Sequence, residues 1–400
     1  MAFTKSEIRQ GIPAYWASIN MRAGLVAFSP IIPLIAKDLG LSTIQLAWLT
    51  SIPVICFAIS STLTSWIRRF GSLNQIITWA LWLLGISLTL RAVHGAFTLY
   101  LFQIGVGIGV AILNVMLPIW VKRHGGENSG RLTGVYVSMM SVMTSVALIL
   151  AAPLAGLTSL GWRLALLPWG VVAIISALWW QRHSRRGEPE PPIEKDSSSI
   201  RMFLHNRLAW QIMMVFGLQS MNAYAARAWI PTIMVDKGFT MAQAGTTIAI
   251  AGLIGALLAF SVPHIAQRST DQRLMIWIIA IAGFISFLLV YYGNSWLIVL
   301  GAAGSNIVQW LLYPLSLLLI ILRSSNQVHA QSLSSMVQSF GYVLGGIAPL
   351  ATGYFFDLTG TWEVSLWFMA CVSLGVGIFG QWAGRIGHVR ERDIVIDSVA

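Results

Sequence analysis

Along this chain, apolar runs of about twenty residues recur about every 25 to 35 positions, parted by short polar stretches that hold nearly all the charge. A helix of about twenty apolar residues crosses the hydrocarbon core of a bilayer. The pattern therefore predicts twelve transmembrane helices, over 10–36, 45–66, 73–91, 98–121, 132–155, 163–181, 208–234, 242–264, 274–292, 295–322, 332–357 and 363–384. The first run has no small-residue cleavage site and leads at once into the next, so it reads as a retained span rather than a signal peptide. With an even number of spans, both termini lie on one side.

Composition agrees with this reading. Of 400 residues, 56% are hydrophobic and only 10% charged, against about 25% charged in a soluble protein. So little charge leaves too small a polar surface to cover a water-facing globule. Cys56 and Cys371 both fall inside apolar runs, which excludes a disulfide framework and a cysteine metal site.

A net charge of +11 would suggest nucleic acid as the partner of a soluble protein. Placement gives another account. Nineteen of the 25 Lys and Arg residues fall on the side of the termini, and Lys37, Arg91, Arg163 and Lys237 on the other. Arg22 and Arg227 lie inside spans. This bias sets both termini in the cytoplasm and removes the need for a nucleic-acid partner.

The longest polar stretch, 182–207, contains RRGEPEPPIEKDSSS, a composition that cannot bury a core. It reads as a cytoplasmic linker between an N-terminal six-helix half, 1–181, and a C-terminal half with a short tail, 208–400. The halves resemble each other. IPLIAKDLGLSTIQ (32–45) aligns without a gap on IPTIMVDKGFTMAQ (230–243), matching Pro33 with Pro231, Asp38 with Asp236, Gly40 with Gly238 and Gln45 with Gln243. Lys122 falls on Arg323, Leu132 on Leu333 and Trp162 on Trp362 at nearly the same offset. The fold class is thus an all-α membrane protein of two six-helix parallel repeats. That is the arrangement of the major facilitator superfamily, whose substrates bind near the midplane between the halves. In it the first, fourth, seventh and tenth spans line the cavity, with the second, fifth, eighth and eleventh beside them. The third, sixth, ninth and twelfth spans, which face lipid, hold no Asn, Gln or charge in their interiors.

Arg22 sits near the middle of the first span, where a charge costs at least about 2.5–3.5 kcal/mol. Ser18, Arg22 and Ser29 are expected on one stripe of that helix, and Ser220, Tyr224 and Arg227 on one face of the seventh. None of the 14 acidic residues and none of the seven histidines falls within a span interior. A cation at that depth without a fixed counter-charge suits an anion, which Arg holds with a planar pair of donors. The alternative is a structural bond from Arg22 to backbone carbonyls of a helix broken near Pro30 and Pro33. Arg227, nearer the outer end, would either face the solute or snorkel to the surface.

Weaker candidates follow the same logic. Gln103 and Asn114 share a face of the fourth span with Gly107, Asn306, Gln309 and Tyr313 one of the tenth, and Gln338 and Tyr342 one of the eleventh. Each set would orient a polar solute or bond helix to helix. Asn20 and Asn222 point off the arginine stripes and read as helix–helix contacts. GVGIGV, with Gly105, Gly107 and Gly109, follows no strand, so it reads as close helix packing rather than a phosphate loop. Gly341, Gly345 and Gly346 read likewise. Trp66, Trp79, Trp180, Trp296 and Trp362 lie near span ends and are expected to anchor at the interface.

NMRAGLVAFSPIIPLIAKDLGLS, GVGIGVAILNVMLPIWVKR, RLTGVY and SLSSMVQSFGYVLGGIAPLATGYFFDLTGTW resemble the cyanate/2-nitroimidazole porter (CynX-like) family of the major facilitator superfamily. The resemblance covers nearly the whole chain outside the linker. It is most specific at Asn20, Arg22, Pro30 and Pro33. It implies a multi-pass carrier of small anions or nitro-heterocycles in the bacterial inner membrane, with Arg22 on the substrate and Asn114, Gln338 and Tyr342 at family-like positions. Two departures stand out. Ala23 replaces a proline frequent in the family, and the loop RRFGSLNQ lacks the superfamily's acid.

The expected function is a secondary active transporter working by alternating access, without cofactor or metal, as a monomer in the lipid bilayer. The alternatives are an exporter of larger neutral or cationic drug-like compounds and a non-transporting sensor. The first would want an acid in the membrane. The second would want an added cytoplasmic domain. An enzyme is excluded, because no carboxylate pair, Ser–His pair or metal cluster lies at membrane depth.

Overall fold

The computed structural model describes residues 5–67, 71–93, 95–125, 129–184, 203–325 and 327–385. Most of the linker, part of the loop RRFGSLNQ, the C-terminal tail and the Trp66 side chain lie outside the described residues.

Every regular element among the described residues is helical. Twelve spans follow one another: α1 (Lys5–Leu39, interrupted), α2 (Thr43–Ile67), α3 (Leu73–Leu90), α4 (Gly95–Gly125), α5 (Ser129–Gly156), α6 (Trp162–Ser184), α7 (Arg207–Asp236), α8 (Met241–Ala259 continued by Ser261–Gln267), α9 (Arg273–Tyr292), α10 (Ser295–Leu322), α11 (Gln327–Thr359) and α12 (Glu363–Ala383). By length and composition, nine helices among the described residues suffice to cross a membrane. The other spans are α2, whose described apolar stretch is Thr43–Ile59, and the two long but more polar helices α7 and α11.

The chain separates into two compact units, Met1–Glu194 with Met234–Ala249, and Lys195–Ile233 with Ile250–Ala400. In the first, α3 packs along α4 and α6, and α2 along α4; in the second, α9 packs along α10 and α12, and α8 along α10. The same pairs meet in both sets of six.

Local devices recur at the same offset. Gly40 ends α1 with φ +63° and Gly238 follows α7 with φ +93°; Gly161 and Gly360, at +57° and +67°, precede α6 and α12. These left-handed positions admit glycine without strain. Two residues after Gly40, Ser42 and Gln45 form a capping box, each bonding the other's backbone N–H at 2.8 and 3.4 Å. Thr240 and Gln243 do the same at 2.9 and 3.1 Å. The ungapped match between 32–45 and 230–243 therefore encodes a helix stop, a tight turn and a helix start, used twice.

Helix–helix bonds repeat as well. Asn20 Nδ2 donates to Ser176 Oγ at 2.9 Å, tying α1 to α6, and Asn222 Nδ2 donates to Ser373 Oγ at 2.8 Å, tying α7 to α12. This is the helix–helix role expected of both asparagines. Trp82 donates to Gln181 between α3 and α6, and Trp277 to Gln381 between α9 and α12.

Two tryptophans differ from expectation. Trp79 and Trp296 are exposed as anchors should be, but Trp180 and Trp362 are buried. Trp180 packs edge-on to Trp120 at 5.4 Å; Trp362 stacks on Phe356 at 4.2 Å and tilts over Trp229 at 5.2 Å. Their neighbours within the bundle, rather than the membrane interface, take up those rings.

Candidate functional site

The first span is the irregular one. Its helix stops at Ser18, resumes as a short turn over Ala23–Val26, tightens into a 3-10 turn over Ser29–Ile31, and runs regularly from Ile32 to Leu39. Pro30 and Pro33 occupy early positions of the last two pieces, where a missing N–H costs nothing. Arg22 stands at the joint, as the N-cap of the short turn with φ −125° and ψ −36°. It is half-buried. Across these interruptions the regular 3.6-residue repeat fails, so the expected stripe of Ser18, Arg22 and Ser29 does not form as one helical face. Ser18 is buried and its hydroxyl bonds the Tyr15 carbonyl at 2.8 Å. By contrast α7, the repeat mate of α1, is one helix of 30 residues with Pro231 near its end.

The joint is held from behind by a residue that sequence reasoning had placed at the outer end of a span. Arg91, the C-cap of α3, is fully buried. Its Nη2 donates to the Gly24 carbonyl at 2.6 Å and its Nη1 to Gln103 Oε1 at 3.0 Å. Gln103 Nε2 in turn donates to the Leu49 carbonyl at 2.7 Å. One chain of hydrogen bonds thus ties α1, α2, α3 and α4 together two residues beyond Arg22. Gln103 uses both ends of its amide in this chain, which takes it out of the set available to a solute. Asn114, about three turns further along α4, is half-buried and makes no hydrogen bond among the described residues. Glycines let α4 come close to both neighbours: a Cβ at Gly107 would lie 2.8 Å from Cys56 Sγ, and one at Gly109 3.1 Å from the Ala80 carbonyl.

In the second unit the candidates gather where α7, α10 and α11 meet. Tyr342 lies edge-on to Phe216 at 5.3 Å and to Tyr224 at 6.4 Å, and Phe216 tilts toward Tyr313 at 6.2 Å. The Arg227 guanidinium lies 5.3 Å from the Tyr224 ring centre, so the face expected of the seventh span does form. Gly345 makes room for the Tyr224 ring, since an added Cβ would lie 2.9 Å from its Cδ2; Gly341 does the same for Phe216. Gln338, one turn before Tyr342, donates to Ser334 Oγ at 2.8 Å.

On α10, Gln309 is 4% exposed, and both its side-chain polar atoms are buried without a hydrogen-bond partner among the described residues; Asn306 Oδ1 is in the same state. A buried polar group in that condition costs about 1–3 kcal/mol, and native proteins hold few of them. Among the described residues, no group of three His, Cys, Asp or Glu could hold a metal ion.

A family model described as Major Facilitator Superfamily matches residues 14–346. The chain belongs to the major facilitator superfamily. It is 31% identical over 386 residues to "Uncharacterized transporter YycB" of Bacillus subtilis (strain 168), covering 94% of this chain and 93% of that one. It is 28% identical over 383 residues to the "2-nitroimidazole transporter" of Escherichia coli (strain K12), covering 93% and 94%. With "Cyanate transport protein CynX" of the same organism it shares 23% over 367 residues, 90% and 93% of the two chains. These relatives place the transporter in the CynX-like branch that its motifs resemble. A bacterial homologue of the human lysosomal transporter Spinster, in its inward-facing and unoccupied conformation, has the same fold at 14% identity, with a TM-score of 0.79 over 99% of this chain and 100% of that one. The D-xylose–proton symporter superposes with a TM-score of 0.73 at 14% identity, over 92% and 96%. The chain is therefore a multi-pass membrane transporter rather than an enzyme.

Proposed function

We propose that this transporter moves a small anionic or polar solute, of the cyanate or nitroimidazole kind, by secondary active alternating access. Arg22 carries the reading. It is a charge at membrane depth, seated on a helix joint, in a chain whose span interiors have no acid or histidine. Discontinuous helices are where transporters of several folds hold their substrates. In this reading Arg22 binds the negative or nitro end of the solute. Asn114 on α4, and Tyr224, Arg227, Asn306, Gln309, Tyr313, Gln338 and Tyr342 on α7, α10 and α11, orient the rest. The aromatic rings around Tyr342 favour the flat heterocycle over the triatomic anion. Gln103 is left out, its amide being engaged by Arg91 and Leu49.

The same proposal takes 1–181 and 208–400 as the halves that rock, 182–207 as their linker, and the monomer as the working unit in a bacterial inner membrane. It sets both termini in the cytoplasm, from the basic bias of that side. The test is a melting panel on the detergent-purified protein with cyanate, nitrite, nitrate, small carboxylates, 2-nitroimidazole and neutral controls at fixed ionic strength. A ligand that binds only the folded state raises the melting point. Stabilisation by one anion or nitro-heterocycle, absent in Arg22→Gln, is the expected outcome. Equal stabilisation of both proteins by neutral or cationic compounds would overturn the reading.

A further inference from the structure

Outside the solute pathway, one cavity stands out. It has a volume of about 470 Å³ and is lined by Asp271, Arg273, Gln381, Trp382 and Arg385. Its depth is fixed by the helices that form it. Arg273 is the first residue of α9, a 20-residue span, and Ala383 is the last of α12, a 21-residue span. A pocket at those two ends lies where apolar helix gives way to polar chain, the level of lipid headgroups.

Beside the cavity, a buried arginine ties its two helices together. Arg323, 4% exposed, donates to the Ala383 carbonyl at 3.1 Å, the Gly384 carbonyl at 2.9 Å and Gln272 Oε1 at 2.7 Å. The Gln272 backbone N–H also bonds the Gly384 carbonyl, at 3.1 Å. The end of α12 is thereby pinned to the start of α9, and Arg385 follows directly from the pinned Gly384. Asp271 accepts from Arg273 at Nε, at distances of 3.0 and 2.8 Å, and at Nη2, holding that guanidinium at the rim. Among the described residues here, Arg273, Arg323 and Arg385 outnumber the one carboxylate, Asp271, by two. Burial lowers the Arg323 pKa from its usual range, with the nearby Asp271 carboxylate opposing the shift.

An apolar track leads away from this charge. On α9, Leu274, Ile278, Ile281 and Ile285 are all exposed at i, i+4, i+7 and i+11, and on the neighbouring α12 Ile378 and Trp382 are exposed at i, i+4. Both stripes begin at the cavity and run toward the middle of the spans. A free phosphate would use the basic pocket and leave the track idle; a lipid would use both.

We infer that the cavity between the start of α9 and the end of α12 binds the phosphate of an anionic phospholipid, whose chains lie along these two stripes. Arg385 and Arg273 meet the phosphate and Trp382 sits at the headgroup level, the usual place of an interfacial tryptophan. The proposal is independent of which solute is carried.

The full-length protein is titrated in mixed micelles with phosphatidylglycerol or phosphatidylcholine, and bound lipid is counted by native mass spectrometry. Inorganic phosphate and glycerol 3-phosphate serve as soluble controls. Phosphatidylglycerol should be retained in preference to phosphatidylcholine. Arg385→Gln, at an exposed position, should weaken it about fivefold, the effect of one basic group at an anionic surface. Lys37→Gln, at an exposed position near the end of α1, should leave it unchanged. Equal retention of both lipids by the wild type would overturn the inference, as would an Arg385→Gln protein that binds phosphatidylglycerol as tightly as the wild type. Competition by the soluble phosphates alone would make the site one for a dissolved anion and would overturn the lipid assignment.

Discussion

Replacing Arg91 by Met tests whether the joint in α1 is held from α3. The change strips two buried acceptors, the Gly24 carbonyl and Gln103 Oε1, of their donor. Each orphaned group costs about 1–3 kcal/mol, a gross loss of about 2–6 kcal/mol. Opposing this, the variant no longer buries a guanidinium that bonds only neutral groups among the described residues, and the relief of its dehydration offsets part of the loss. A net destabilisation of about 2–3 kcal/mol is expected. Gln103→Leu removes the same contact from the other side and leaves the Leu49 carbonyl unbonded. The double variant should then be less destabilised than the sum of the singles, by about 1–3 kcal/mol. Denaturant unfolding in detergent gives the four free energies, and the ligand-induced melting shift reports on Arg22 two residues away. At an offset of 199, the second half has Val290 and Ala302 at the matching positions, beside an α7 that is unbroken and needs no such tie. Single effects that add within about 0.5 kcal/mol would refute the idea that Arg91 and Gln103 act as one clamp.

Further outcomes follow from other contacts. Gly345→Val should crowd Tyr224 and Ser220, whose atoms lie 2.9 and 3.2 Å from an added Cβ; a loss of stability of about 1–3 kcal/mol, seen as a lower melting point, and a smaller ligand shift are expected. Gly40→Ala and Gly238→Ala meet no neighbouring atom, yet each forces a side chain into left-handed backbone. Both should cost about 1–2 kcal/mol and, being repeat mates, similar amounts in thermal melts. Arg273, by hydrogen bonding, holds the Asp271 carboxyl below the usual carboxylate range. A depressed pKa stabilises the fold above the unfolded value and is lost as pH falls through the folded one. The wild type should therefore lose a small increment of stability below about pH 4, and Asp271→Asn should lose none over the same window in a pH-resolved melt.

The spans were legible because crossing a bilayer demands a length and composition that few other constraints imitate. The repeat was legible because a left-handed glycine followed by a capping box is written in residue types, as at Gly40, Ser42 and Gln45. The interruption at Arg22 was only half visible. Pro30 and Pro33 marked its far side, but nothing in SINMR signals that the helix ends at Ser18. For Gln103 the sequence leaves ligand contact and helix–helix bonding both open, and for Arg91 it gives the span end but not the burial, because spacing gives the face of a side chain, not the partner that an adjacent helix supplies. The ring cluster of Phe216, Tyr224, Tyr313 and Tyr342 was found in part, by the stripes on α7, α10 and α11. Phe216 escaped notice because an apolar residue in an apolar span carries no signal.

Two copies of one six-span unit in a single chain supply an internal control that most proteins lack. Both copies keep Gly40 with Gly238, Gly161 with Gly360, the paired capping boxes and the asparagine ties to the sixth and twelfth spans, devices that shape helix ends and helix contacts. What only one copy has, such as the joint in α1, is where the proposed solute site would depart from the shared frame. On that division the continuous α7 is the plain version of the helix, and α1 is the jointed one, with Arg22 at the joint and Arg91 bonded to the Gly24 carbonyl two residues on. Transplanting the sequence of one helix into the other would therefore ask whether the joint is needed to build the fold or only to bind the proposed solute.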